Sequence, residues 1–127
     1  MKFVHTCYRV KNLEASVGFY QDAFGFEEKK RADFPEHKFT LVYLSLPGDT
    51  NELELTYNYD HPGYEIGTGY GHIAITVAYL EGLHAKHKEA GYEVTDLKGL
   101  PGTVPGYYFV LDPDGYKIEV IRGGFID

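Results

Sequence analysis

The chain has 127 residues, 43% of them apolar, with 12 Lys and Arg set against 19 Asp and Glu for a net charge of −7. That supports one compact core and is too short for two conventional domains. The lack of a basic cluster argues against a nucleic-acid partner, the lack of a bilayer-length apolar run argues against a membrane span, and one cysteine excludes both an internal disulfide and a Cys-rich zinc site.

In chain order, Met1-Lys2-Phe3-Val4-His5 enters a strand-like pattern with no signal-peptide character, so a soluble protein of a reducing, cytoplasmic compartment is expected. Leu13, Val17, Tyr20 and Phe24 recur at helical spacing, with Asn12 suited to the N-cap and Gly25 to a left-handed C-cap. Three strand-like runs follow near 26–33, 38–46 and 52–58, with Pro47-Gly48-Asp49 as a turn. Residues 59–71, with Pro62 and several glycines, read as a linker. The second half begins with a strand at His72 and a helix carrying Leu80, Leu83, His87 and Ala90 on one face. Its later strands are expected near 92–97, 106–111 and 116–121, the last two parted by the turn Asp112-Pro113-Asp114-Gly115.

The two halves repeat. His5 and Leu13 recur as His72 and Leu80 at an offset of 67, and Glu54 recurs as Glu119 at an offset of 65. The expected architecture is therefore α+β, a single domain over 1–127 made of two βαβββ modules, about 1–58 and 72–127. The modules would build a curved mixed sheet with the helices outside.

Strand side chains alternate between faces. His5, Cys7 and Arg9 oppose Val4, Thr6, Tyr8 and Val10, while Glu54, Thr56 and Asn58 oppose Leu53, Leu55 and Tyr57. In the second half His72 opposes Ile73, and Glu119 opposes Ile118 and Val120. Each half thus places one His and one Glu away from its helix. A single such residue is ordinarily just solvated. Four at repeat-equivalent positions suit a divalent first-row ion in an octahedral shell with room for water.

The segments His5-Thr6-x-x-Arg9-Val10, Glu54-Leu55-Thr56-Tyr57-Asn58, Gly69-Tyr70-Gly71-His72-Ile73-Ala74 and Asp112-Pro113-Asp114-Gly115-Tyr116-Lys117-Ile118-Glu119 resemble bacterial glyoxalase I (lactoylglutathione lyase) of the vicinal oxygen chelate superfamily. The resemblance runs nearly end to end. It implies a glyoxalase/bleomycin-resistance/dioxygenase-like fold and isomerisation of the hemithioacetal of methylglyoxal and glutathione to S-lactoylglutathione. It implies His5, Glu54, His72 and Glu119 as metal ligands, Glu119 as the catalytic base with Glu54 as its partner, and Arg9 and Asn58 as glutathione contacts. Histidine at the first ligand position resembles the nickel- and cobalt-activated class, since zinc-activated members usually carry Gln there. Nickel is therefore the expected metal, with cobalt and then zinc as alternatives, and a homodimer the expected assembly.

One departure stands out. The eukaryotic pattern has an arginine for the glycyl carboxylate just before the Gly-aromatic-Gly-His motif, whereas this chain has Gly67-Thr68-Gly69, with Lys98 as a candidate replacement. Extradiol dioxygenases and fosfomycin-modifying enzymes lack a Glu at the place of Glu54, and methylmalonyl-CoA epimerases generally carry Gln there. Drug-sequestering proteins of the bleomycin-resistance kind lack the four ligands. Elsewhere, His84 and His87 read as part of an amphipathic helix, His37 and His61 as surface residues, and Cys7 as a small side chain lining the cavity. The Gly/Pro-rich stretch 98–106 reads equally as a connection or a lid.

Overall fold

The computed structural model of the protein describes residues 1–124. Two compact units divide inside the expected linker, the first spanning Met1–Glu65 and the second beginning at Ile66. No helix among the described residues is long and apolar enough to cross a membrane.

The first unit runs β1 (His5–Arg9), α1 (Leu13–Phe24), β2 (Glu27–Phe34), β3 (Phe39–Ser45) and β4 (Glu52–Asn58). Helix α1 starts where the Asn12 side chain accepts from the Ala15 N–H at 3.0 Å, meeting a donor that the first turn leaves orphaned. It stops at Gly25, whose φ of 79° is left-handed, and the Gly25 N–H donates back to Gln21 and Tyr20. The buried stripe is Leu13, Ser16, Val17, Phe19, Tyr20 and Ala23, while Phe24 is only half-buried.

The strands lie in the order β1-β4-β3-β2. β1 and β4 are parallel, because helix and hairpin return the chain in the starting direction, and the other pairs are antiparallel. One face of this sheet turns Val42, Leu44, Leu53 and Leu55 into the core with Tyr8, Val10 and Tyr20, all at most 3% exposed.

The second unit runs β5 (Ile73–Val77), α2 (Leu80–Glu89), β6 (Tyr107–Leu111) and β7 (Lys117–Arg122), with sheet order β5-β7-β6. β5 pairs with β7 in parallel, as β1 does with β4. Leu80, Tyr108, Val110, Ile118 and Val120 form its core. The Asp112 carboxylate closes the β6–β7 turn, accepting from the N–H groups of Asp114 and Tyr116 at 2.9 Å each.

The backbone ladders form two mixed sheets, one per unit. One expectation is corrected. The strand expected at 92–97 is absent, leaving isolated bridges between Val94 and Val110 and between Lys98 and Tyr107. Side chains supply the reason. The Thr95 hydroxyl takes the Phe109 N–H at 2.9 Å, and His84 Nε2 donates to the Thr95 carbonyl at 2.8 Å. Groups that a ladder would have used are already committed.

His84 and His87 therefore belong to a polar patch of the core. Both are buried, and His87 Nδ1 meets the Tyr108 hydroxyl at 2.8 Å. The α2 face is Leu80, His84 and His87, while Ala90 is exposed. His37 and His61 are exposed, as expected of surface residues. The 98–106 stretch is closed at its base, where Gly106 N–H donates to the Lys98 carbonyl at 2.7 Å and the Arg122 guanidinium holds the Pro105 carbonyl at 2.9 Å.

Candidate metal-binding active site

Each unit builds one His–Glu pair by the same strand geometry. In the first, Cys7 lies directly across the parallel β1–β4 ladder from Glu54, and His5 stands two residues earlier on the same face. His5 Nε2 is 3.1 Å from Glu54 Oε2. In the second, Ala74 lies across from Glu119 and His72 stands two residues earlier. His72 Nε2 is 3.1 Å from Glu119 Oε1. Both histidines are over a third exposed, while the carboxylates are better covered, with side chains 12% exposed at Glu54 and 19% at Glu119.

An aromatic ring backs each pair from the third strand. Tyr43 lies across from Glu54 and meets the His5 ring edge-on at 5.8 Å. Phe109 lies across from Glu119 and meets the His72 ring edge-on at 5.0 Å. Such edge-to-face contacts fix ring orientation with little polar cost.

The carboxylates differ in what surrounds them. Thr56 donates its hydroxyl to Glu54 Oε1 at 3.0 Å, and the Cys7 thiol lies 3.2 Å from that hydroxyl. Burial pushes the Glu54 carboxyl up, but hydrogen bonds from Tyr43, Thr56 and Cys7 and the nearby His5 outweigh it and hold the group below the usual carboxylate range. Burial and the bond to Glu54 push the Tyr43 phenol up, so it remains a donor at neutral pH. Burial likewise raises the Cys7 thiol, which argues against a nucleophilic role. At Glu119 the equivalent neighbours are Ala74, Phe109 and Ile121, none of which has a side-chain donor.

Arg9 and Asn58 extend the His5–Glu54 face, with Arg9 opposite Thr56 and exposed, and Asn58 at the end of β4. The Asn58 amide donates to the Tyr64 hydroxyl at 2.8 Å, and the Tyr64 ring stacks on His61 at 4.1 Å. Lys98 is exposed at the base of the 98–106 stretch. Tyr43, Phe109 and Tyr64 were not singled out from the sequence. For the first two the signal was present as an aromatic pair at the repeat offset, from 43 to 109.

An imidazole and a carboxylate at 3.1 Å fit a first-row divalent ion. Donors at adjacent corners of an octahedron with bonds of about 2.1 Å stand about 3.0 Å apart. Each pair by itself is two donors, and neither unit gathers three or more His, Cys, Asp or Glu among the described residues. A full shell calls for further donors beyond one pair.

Residues 2–120 match the Glyoxalase/Bleomycin resistance protein/Dioxygenase superfamily, and the chain belongs to it. Within that superfamily its relatives include lactoylglutathione lyases. The enzyme of Neisseria meningitidis serogroup A is 40% identical over 126 residues, covering 96% of this chain and 91% of its own. That of Escherichia coli O157:H7 is 39% identical, covering 96% and 93%. Among solved structures, the trypanothione-dependent glyoxalase I of Leishmania major superposes with a TM-score of 0.85 at 36% identity, over 96% of this chain and 86% of its own. Glyoxalase I of Zea mays gives 0.83 at 34% identity, over 93% of this chain and 43% of its own.

Proposed function

We infer that this enzyme isomerises the hemithioacetal of methylglyoxal and glutathione to S-lactoylglutathione, using a divalent metal. The observation that carries the reading is the duplicated His–Glu pair, at 3.1 Å in both units, in a chain about 40% identical to lactoylglutathione lyases over nearly its full length. His5, Glu54, His72 and Glu119 are the proposed ligands. Glu54 is what separates this reading from the dioxygenase, epimerase and drug-binding alternatives.

The reaction moves one proton between neighbouring carbons. Loss of the C1 proton gives an enediolate, and return of a proton to C2 gives the thioester, with no external oxidant or reductant. The metal, when bound, supplies positive charge that stabilises the developing oxyanions. Glu119 takes the proton from C1 and returns one to C2, while Glu54 remains the steady carboxylate. Arg9 and Asn58 hold the glutathione portion of the substrate, and the Tyr64 hydroxyl orients the Asn58 amide.

Nickel is the proposed metal, because imidazole at the place of His5 resembles the nickel-activated class. The proposed assembly is a homodimer and the proposed location is the cytoplasm. A second reading, another glutathione-like thiol, is favoured by Gly67-Thr68-Gly69 standing where an arginine would bind the glycyl carboxylate. The thiol dependence named for the Leishmania relative is a precedent. The test is thioester formation from methylglyoxal plus glutathione after chelation and return of nickel or zinc. Activity with nickel and little with zinc is expected. Inactivity with glutathione but activity with another thiol would favour the second reading, and inactivity with every thiol and metal would end both.

A further inference from the structure

Superposing the two pairs by strand register exposes one difference between them. Across the ladders Tyr43 corresponds to Phe109, and Cys7 corresponds to Ala74, because each stands opposite its own carboxylate. Two residues beyond each carboxylate, Thr56 corresponds to Ile121. Three polar positions around Glu54 are thus apolar around Glu119. The Thr56 hydroxyl donates to Glu54 Oε1 at 3.0 Å, leaving Oε2 to face His5 Nε2 at 3.1 Å, so Glu54 has a tie beyond its histidine. The Cys7 thiol, 3.2 Å from the Thr56 hydroxyl, sets that hydroxyl's direction. Among the described residues, Glu119 has the contact to His72 and no such hydroxyl tie.

We propose that Tyr43, Thr56 and Cys7 are positioning residues that hold the Glu54 carboxylate in one orientation, so that of the two metal carboxylates only Glu119 is free to swing and move the proton. This rests on the assignment of His5, Glu54, His72 and Glu119 as ligands. The physical basis is that a carboxylate tied by a neighbouring hydroxyl must break that bond to rotate, beyond any contact with its histidine, whereas one lined by a ring, a methyl and a branched aliphatic chain has only the histidine contact to give up. The repeat supplies two equivalent carboxylates, and the lining makes them unequal.

The test uses cobalt as a spectroscopic probe, with thioester formation measured alongside. The unsubstituted chain is measured first, and failure to bind cobalt there would overturn the ligand assignment and the positioning role with it. Given binding, Tyr43→Phe combined with Thr56→Val is expected to loosen cobalt by about 10- to 100-fold and to change the visible band intensity that reports coordination number. Thr56→Ser, which keeps the hydroxyl, restores both relative to Thr56→Val. The converse variant, Phe109→Tyr, offers Glu119 the donor that Glu54 has. It is expected to lower kcat by about tenfold or more, with KM and cobalt affinity held. Unchanged affinity and spectrum in the double variant, or an unchanged kcat in Phe109→Tyr, would overturn the proposal.

Discussion

Glu119 and His72 face each other diagonally across the parallel β5–β7 ladder, Oε1 to Nε2 at 3.1 Å, with the His72 ring held edge-on by Phe109. The geometry leaves the carboxylate one hydrogen bond to give up. A group in that state suits a base that must alternate between the ion and the substrate carbon.

Glu119→Gln is therefore expected to lower kcat by at least about 100-fold, because an amide neither accepts the C1 proton nor carries ligand charge. The Gln side chain is nearly isosteric and the position is at the surface of its sheet, so the melting temperature of the metal-free protein should move little. Steady-state kinetics beside a thermal melt separates the two effects. Retention of more than a tenth of the activity would remove Glu119 from the base role.

Chelation should abolish activity and also lower the melting temperature, because an ion held by the folded protein and not by the unfolded chain stabilises the fold. Returning nickel should restore both. His5→Ala should bind nickel at least about tenfold more weakly than the parent, read by calorimetry, since one of the proposed donors is lost. Equal affinity in the variant would place the ion elsewhere.

The two His–Glu pairings were legible in the sequence, for a definable reason. Alternation along β1, β4, β5 and β7 forces His5 and Glu54 to one face and His72 and Glu119 to another, and the repeat offsets pair them. The caps of α1 were equally readable, because Asn12 and Gly25 act through local backbone geometry. The strand expected at 92–97 does not form because its fate is decided at a distance, by the His84 side chain on α2 taking the Thr95 carbonyl. The unequal linings of Glu54 and Glu119 were also hidden. They depend on which β3 and β6 residues fall opposite each carboxylate, and register is a property of paired strands.

The Glu81–Arg122 pair makes part of the stability of the second unit depend on pH. The Arg122 guanidinium donates to Glu81 Oε1 at 3.1 Å and holds the carboxyl below its usual range. A carboxylate lowered on folding contributes above its unfolded pKa of about 4.3, and that contribution disappears as pH falls through the lowered folded value. Glu81→Gln should therefore melt below the parent at pH 7, and the gap should close in acid. A gap that persists at pH 2 to 3, a range set about two units under the unfolded value, would assign the effect to packing and not to charge. The pair is exposed, so the difference at pH 7 should be small and should shrink further in high salt.

The Tyr108 hydroxyl and His87 Nδ1 meet at 2.8 Å in the core of the second unit, with Tyr108 fully buried. Burial pushes the phenol well above its usual range, so it remains a donor throughout the working pH. Tyr108→Phe keeps the ring and removes the hydrogen bond, which should cost about 1 to 3 kcal/mol once the desolvated imidazole nitrogen is counted. Leu55→Ala, in the first unit and equally buried, should cost about 2 to 5 kcal/mol through lost burial and the cavity left behind. Denaturant midpoints measured on the metal-free protein give both values. Neither side chain lies on a His–Glu face, so kcat of the folded, metal-loaded variants should match the parent. A kcat loss in Tyr108→Phe without a loss of stability would show that the polar patch behind β6 reaches the Glu119 face through Phe109, the neighbour of Tyr108 on that strand.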